Sequence, residues 1–409
     1  MIVAVPKETF PGEKRVALVP TGIPPLVKAG FEVVIEPGAG LAAGFRDEQY
    51  VAKGAKIATG RDEVFAADVV LQVRAAGSNP DRAADDYPRL RKGGVLIASC
   101  DPLGEPKAVE PYAAAGVTLF ALEMVPRITR AQSMDILSSM ATVAGYRAVL
   151  LAAEALPKMF PMLMTAAGTV SPAKVLIVGA GVAGLQAIAT AKRLGAVVTA
   201  YDIRPAVKEQ CQSLGAKFLE LELDTAAAED KGGYAQAMDE QFYRKQREMM
   251  TRVIAEMDLV ITTAAVPGKK APILVTREMV EGMAPGSVVM DLAAERGGNC
   301  ELTRPGETVV HQEVTILGPV NLASGAATHA SQMYGKNITT FLLLLAKKGR
   351  VELDLEDEII RDTLITHGGH VVNERVCEAL GIAPPAAKPA PEPVADEPPQ
   401  DIYGVKKDN

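Results

Sequence analysis

The stretch AKVLIVGAGVAGLQAIATAKRLGAVVTAYD, residues 173–202, decides the fold. An apolar run over residues 175–178 ends at Gly179, and Gly181 and Gly184 complete the pattern G-x-G-x-x-G. A helical segment follows to Leu194, and a second apolar run over 197–201 ends at Asp202. Strand, glycine turn, helix, strand and terminal acid in this order form a βαβ unit that binds dinucleotides. Gly179 makes the turn out of the strand, Gly181 lets the backbone approach a pyrophosphate, and Gly184 lets the helix lie against the sheet. Ala180 and Val182 complete the turn, where helix N-terminal amides and the positive end of the helix dipole meet the phosphates.

Asp202 stands 18 residues past Gly184, where a carboxylate accepts both ribose hydroxyls and repels a 2′-phosphate, which points to NAD(H). Arg204 lies two residues further on and would favour a phosphate, so the preference between the two cofactors stays open at this level. A second glycine pattern, EPGAGLAA at 36–43, follows the strand-like FEVVIE. Pro37 interrupts its junction, and no apolar strand ending in an acid follows at the proper distance. Gly38, Gly40 and Gly44 therefore read as loop glycines.

Around this nucleus the 409 residues suffice for two domains. Residues 1–122 alternate strand and helix signals (IVAVPK, PPLVKAG, FEVVIE, DEQYVAK, ADVVLQV, GGVLIAS, VTLFAL), which predicts a parallel α/β sheet. The nucleotide fold continues through MDLVITTA, GSVVMDLA and VTILGP. The fold expected is two Rossmann-like doubly wound parallel-sheet domains joined by long helices, with a ligand cleft where the carboxyl ends of the strands face each other. Long helical segments are expected over 131–159 and 326–347 as a hinge spine. The expected division is 1–136 with 328–381, 137–327, and a Pro/Ala-rich tail at 382–409 that is either a frayed terminus or a tether.

Composition excludes several classes. A hydrophobic content of 48% with 23% charged residues is that of a soluble globular enzyme. A formal charge of −7 without a basic cluster argues against nucleic acid. Cys100, Cys211, Cys300 and Cys377 are far apart and read as free thiols in a reducing compartment. His311, His329, His367 and His370 show no zinc spacing, so no metal is expected. The N-terminus lacks a signal pattern, and the late apolar run 341–346 is too short for a bilayer.

Four segments, PKETFPGEKRVALVP, RITRAQSMDILSSMATVAGYRAVL, GAGVAGLQA and MDLAAERGGNCE, resemble the soluble NAD(H)-binding domain of proton-translocating NAD(P) transhydrogenases, carried as a separate alpha subunit. The first and third are shared with alanine dehydrogenases; RAQSMD and LAAERGGN discriminate. The resemblance implies NAD(H) on this subunit and NADP(H) on a partner domain. It also implies a membrane domain as partner, a homodimer, and a cytoplasmic position at the inner membrane.

By the same resemblance, Arg127, Asp135 and Ser138 would fix the nicotinamide end and Gln132 would reach toward the second nucleotide. Read from residues alone, a cationic fork, a carboxylate and a hydroxyl at the start of a helix can lock a ring's rotation by directional hydrogen bonds, or serve as a helix cap and surface polars. Residues 224–240 read as a flexible excursion in which Tyr234 matches the family's mobile-loop tyrosine. Thr263, Ala264 and Gly268, in TTAAVPGKKAP, would line the far wall.

Alanine dehydrogenases place a lysine in the strand corresponding to VLQVRA, a histidine after that corresponding to VLIASCD, and an aspartate near the nicotinamide. Here stand Arg74, Cys100-Asp101-Pro102 and Glu295, while Arg15 remains. Without that base, oxidation of an amino acid loses its proton acceptor, whereas hydride exchange between two nicotinamides needs none. The competing readings are a stand-alone amino-acid dehydrogenase and an NADH-sensing module without catalysis.

Overall fold

A computed structural model describes residues 1–220, 240–265, 268 and 270–384, with the side chains of 240–243 left aside. Tyr234, most of the excursion at 224–240, and tail residues 385–409 lie outside the described residues.

Among the described residues two large sheets form. The first has eight strands in the order His370–Val371, Leu364–His367, Thr118–Ala121, Val95–Ser99, Val69–Arg74, Ile2–Val5, Glu32–Ile35, Lys56–Ile57. Ile2–Val5 pairs in parallel with Glu32–Ile35 on one side and with Val69–Arg74 on the other, so the strand order reverses there. The second sheet runs Lys217–Phe218, Val197–Tyr201, Lys174–Val178, Leu259–Thr262, Val288–Asp291, Val314–Leu317, Thr308–His311. Its order reverses at Lys174–Val178, which pairs in parallel with both Val197–Tyr201 and Leu259–Thr262.

This is the expected doubly wound α/β architecture. Each sheet departs from this at one edge: a hairpin of Leu364–His367 and His370–Val371 sets its first strand antiparallel to Thr118–Ala121, and Thr308–His311 lies antiparallel to Val314–Leu317. The first of these turns back through Gly368 and Gly369, at φ 58° and 89°, a left-handed pair that suits glycine.

Both sheets are covered on both faces, which explains why their strands read as continuous apolar runs rather than alternating ones. Val3 and Val5 enter one core while Ala4 between them enters another. Val175 and Ile177 likewise part from Leu176 and Val178.

The first long helix begins at Ile136 rather than at 131, because Asp135 stops the chain there: its carboxylate accepts the Ser138 backbone N–H at 2.9 Å as an N-cap. Residues Thr129–Met134 form a 3₁₀ turn instead. The helix Ile136–Ala155 joins the two units, since Ile136 lies in the first unit's core and Ala148, Val149 and Ala152 lie in the second's. It is 20 residues long and contains an 18-residue window of mean hydropathy 1.5, long and apolar enough to cross a membrane. Here that apolar surface is used between layers: Gly145 packs so closely on the helix Val182–Arg193 that a Cβ would stand 2.2 Å from the Ala183 carbonyl oxygen. The second connector, Ala327–Leu345, meets the first through Val143, Ala323 and Ala330. It is pinned to the first sheet by the Tyr334 hydroxyl, which donates to the Gln72 carbonyl at 2.8 Å.

Gly38, Gly40 and Gly44 belong to a loop with a 3₁₀ turn at Leu41–Ala43. The Cβ missing from Gly40 would strike the Tyr50 hydroxyl at 2.5 Å, so packing accounts for that glycine. All four cysteines are buried and free.

Candidate dinucleotide site and cleft

The fingerprint lies where the second sheet reverses its strand order, at the carboxyl ends of three neighbouring parallel strands: Gly179 after Lys174–Val178, Asp202 after Val197–Tyr201, and Thr263 after Leu259–Thr262. Its glycines have distinct surroundings. Gly179 turns at φ 97°, with the Thr263 hydroxyl donating to its carbonyl at 2.9 Å. Gly184 packs so tightly that a Cβ would fall 1.9 Å from the Gly179 carbonyl oxygen. Among the described residues, a Cβ on Gly181 would meet no atom within 4 Å beyond its chain neighbours. Space is thus left open in front of Gly181 and of the first turn of the helix Val182–Arg193, whose amides lack intrahelical partners. That space fits a pyrophosphate.

Asp202 is held from all sides. Its Oδ2 accepts the Ala180 N–H at 2.7 Å and Arg204 Nη2 at 2.8 Å, while its Oδ1 accepts the Arg204 backbone and Nε, both at 2.9 Å. Arg204 is therefore folded back on Asp202, and ribose hydroxyls can reach both carboxylate oxygens only if the guanidinium gives way.

The far wall is organised by two residues that motif reading passed over. Asp291 is fully buried and accepts from the Thr262 hydroxyl, the Ala293, Asn299 and Cys300 amides, and the Thr303 hydroxyl. Asn299 receives the Ala264 N–H at 3.0 Å and donates to the carbonyls of Ala264 and Pro272, both at 2.8 Å. A carboxylate ending the apolar run VVMD, followed by GGN, was the available signal: it had to serve a cluster of loop amides. Gly268 reaches the first unit, where its Cβ would stand 2.8 Å from that of Leu103.

Across the cleft, Arg15 and Arg74 converge on the buried Glu13. Arg15 Nε and Nη2 donate to its two oxygens at 2.8 and 2.6 Å, and Arg74 Nε donates at 3.1 Å. Burial would raise the Glu13 carboxyl, but the Arg15 hydrogen bonds and charge overcome this and lower it to about 2. Asn321, at φ 54°, ties this group to the second unit: its Oδ1 accepts from both arginines and its amide N–H donates to Glu295. Asp101, also left-handed at φ 49°, pairs with Arg296 at 2.7 Å. Beneath it, one oxygen of Glu123 accepts the N–H groups of Cys100 and Asp101. Burial raises the Glu123 carboxyl and the Cys100 thiol above their usual ranges. Arg15 and Arg74 are thus already committed to protein partners.

Asp135 and Ser138 stand together at the start of Ile136–Ala155, the Ser138 hydroxyl donating to Asp135 Oδ2 at 2.5 Å. Ser138 precedes Gly145 by seven residues, about 10 Å along the helix. Gly145 in turn touches Ala183, next to the fingerprint turn. Arg127 and Gln132 are exposed on the preceding segment.

A doubly wound sheet with an open glycine cradle at its reversal point, facing a second α/β unit across a polar cleft, defines a dinucleotide-binding oxidoreductase. The chain belongs to the alanine dehydrogenase/PNT family: the description "Alanine dehydrogenase/PNT, N-terminal domain" matches residues 4–144, and "Alanine dehydrogenase/PNT, C-terminal domain" matches residues 148–374. It is 47% identical over 377 residues to an NAD(P) transhydrogenase subunit alpha chain of Rhodospirillum rubrum, covering 91% of this chain and 98% of that one. A solved transhydrogenase from Sinorhizobium meliloti shares 47% identity at a TM-score of 0.82, covering 91% of this chain and all of that one. Alanine dehydrogenase of Bacillus subtilis is 32% identical, with 93% and 95% covered.

Proposed function

We propose that this chain is the NAD(H)-binding catalytic subunit of a proton-translocating transhydrogenase. The observation that carries the reading is the combination of an open dinucleotide cradle with a cleft whose two cations, Arg15 and Arg74, are both engaged by Glu13. A small amino acid would need those cations for its carboxylate and a base beside its amine-bearing carbon. The residues following Val95–Ser99 are Cys100, Asp101 and Pro102, and Asp101 is paired with Arg296. The likeness to transhydrogenase alpha subunits, above that to alanine dehydrogenase, supports the same choice.

In this reading NADH supplies a hydride that passes directly to NADP⁺ on a partner domain, with no proton exchanged at the reacting carbons. Gly179, Ala180, Gly181, Val182 and Gly184 receive the pyrophosphate, Asp202 and Arg204 the adenosine ribose, and Thr263, Ala264 and Gly268 the far side. Arg127, Asp135 and Ser138 fix the rotation of the nicotinamide end through directional hydrogen bonds. Gln132 reaches toward the second nucleotide, and Tyr234 covers the first. Catalysis then rests on orientation and exclusion of water rather than on acid–base chemistry.

The same reading assigns residues 1–136 with 328–381 to one domain and 137–327 to the other. It makes the chain a homodimer held on the cytoplasmic face of the inner membrane by its membrane and NADP(H)-binding partners. The strand Leu364–His367, lying beside Thr118–Ala121, supports the discontinuous first domain.

Stopped-flow hydride exchange between NADH and NADP⁺, with and without an NADP(H)-binding transhydrogenase domain, tests the proposal, alongside alanine plus NAD⁺ without a partner. Rapid exchange only with the partner is expected. NADH formation from alanine alone would overturn it, and nucleotide binding without transfer in either case would leave a sensing module.

A further inference from the structure

The segment Thr129–Met134, a 3₁₀ turn, carries Gln132. Ala131 and Met134 insert into the first unit's core, leaving Gln132 and Ser133 exposed between them. Two side chains from more than 200 residues later grip the segment on either side of Gln132. Asn337, on the connector Ala327–Leu345, donates its Nδ2 to the Ser133 carbonyl at 2.9 Å. Arg130 forms a planar fork, two bonds of 2.7 Å each, with the two oxygens of Asp357. Asp357 is itself immobilised, since its Oδ1 caps the helix Glu358–Thr363 by accepting the Ile359 N–H at 2.9 Å.

An ion pair whose arginine is half open to water adds little to global stability, so stability alone does not explain this arrangement. A bidentate arginine–carboxylate pair does fix geometry, and lysine cannot reproduce it. We propose that Asp357, through its fork with Arg130, is a positioning residue for hydride transfer, holding the turn that presents Gln132 to the second nucleotide. The inference rests on the function proposed above. Neither residue touches the nucleotides in this scheme; both act through the backbone of the turn.

The test uses the full chain with the NADP(H)-binding domain and measures single-turnover transfer, NADH affinity and the thermal midpoint. Asp357→Asn retains the cap acceptor while losing the charge, and Arg130→Gln removes the fork from the other side. Each should slow transfer about tenfold, a fraction of the roughly hundredfold cost of a 1 Å misplacement, with NADH affinity changed less than about twofold. The double variant should be no slower than either single one, because the two form one unit. Arg130→Lys should fall between wild type and Arg130→Gln. Unchanged rates in these variants, while Gln132→Asn slows transfer in the same assay, would overturn the inference alone. So would additive losses, or affinity falling in step with rate. Absence of transfer by the wild type would remove the functional reading and this inference together.

Discussion

Gly179, Gly181 and Gly184 belong to one motif and yet differ in what their missing side chains spare. At Gly184 the obstacle is protein, the Gly179 carbonyl at 1.9 Å; at Gly181 none of the described residues beyond its chain neighbours comes within 4 Å. The two should separate experimentally. Gly184→Ala should destabilise the fold by about 2–3 kcal/mol in urea unfolding, as an overpacked contact does. Gly181→Ala, at an extended φ of −74° and ψ of −168°, should cost no more than about 1 kcal/mol. It should nevertheless weaken NADH binding about tenfold or more in fluorescence titration; tight binding by Gly181→Ala would mean that the cradle holds no pyrophosphate. Motif reading reached these residues because they are local in sequence. It could not see that Arg204 turns back onto Asp202, nor that Asp291 and Asn299 organise the opposite wall, since those facts depend on how side chains fold and on partners dozens of residues away.

At the scale of elements, strands and the reversal of their order were legible because buried parallel strands leave unbroken apolar runs. Edges were less so: Thr308–His311 alternates half-buried and exposed residues and makes a weak signal. The first connector starts five residues later than its apolar pattern suggests, because Ala131 and Met134 look helical while Asp135 performs the cap. That connector also shows how a helix of membrane-spanning length is used without a bilayer: it spans two cores. Gly145→Ala would place a methyl against the Ala183 carbonyl and push the connector off the nucleotide helix. We expect about 1–3 kcal/mol of destabilisation together with weaker NADH binding. Loss of stability with full NADH affinity would show that the two helices are not coupled to the site.

For the whole molecule, the polar group between the units sets a dependence on pH. The half-buried Glu8 accepts from the Val73 and Arg74 amides at 2.7 and 3.2 Å, and desolvation, reinforced by the charge of Glu13, raises it from 4.5 to about 8. A raised carboxyl keeps its proton in the folded state, so its contribution is complete below about pH 4.5 and is lost as pH climbs toward 8. Glu13 has the opposite sign: held near 2, it stabilises above about pH 4.5 and loses that contribution as pH falls toward 2. The thermal midpoint should therefore peak near about pH 5 and decline on both sides. Glu8→Gln should flatten the alkaline limb whatever its effect on the maximum; an unchanged slope between about pH 5 and 8 would remove Glu8 as its cause.

The antiparallel strand Leu364–His367 joins the first sheet beside Thr118–Ala121, although 242 residues separate their nearest ends. Every strand of the second sheet lies between Lys174 and Leu317, in one uninterrupted stretch. On a ribosome adding about 5–20 residues each second, the edge of Thr118–Ala121 waits roughly 12–50 s for its neighbour while the second sheet is already whole. An unpaired strand edge is a template for other chains. Nascent polypeptide halted before residue 364 should thus need a chaperone that a chain released at full length does not.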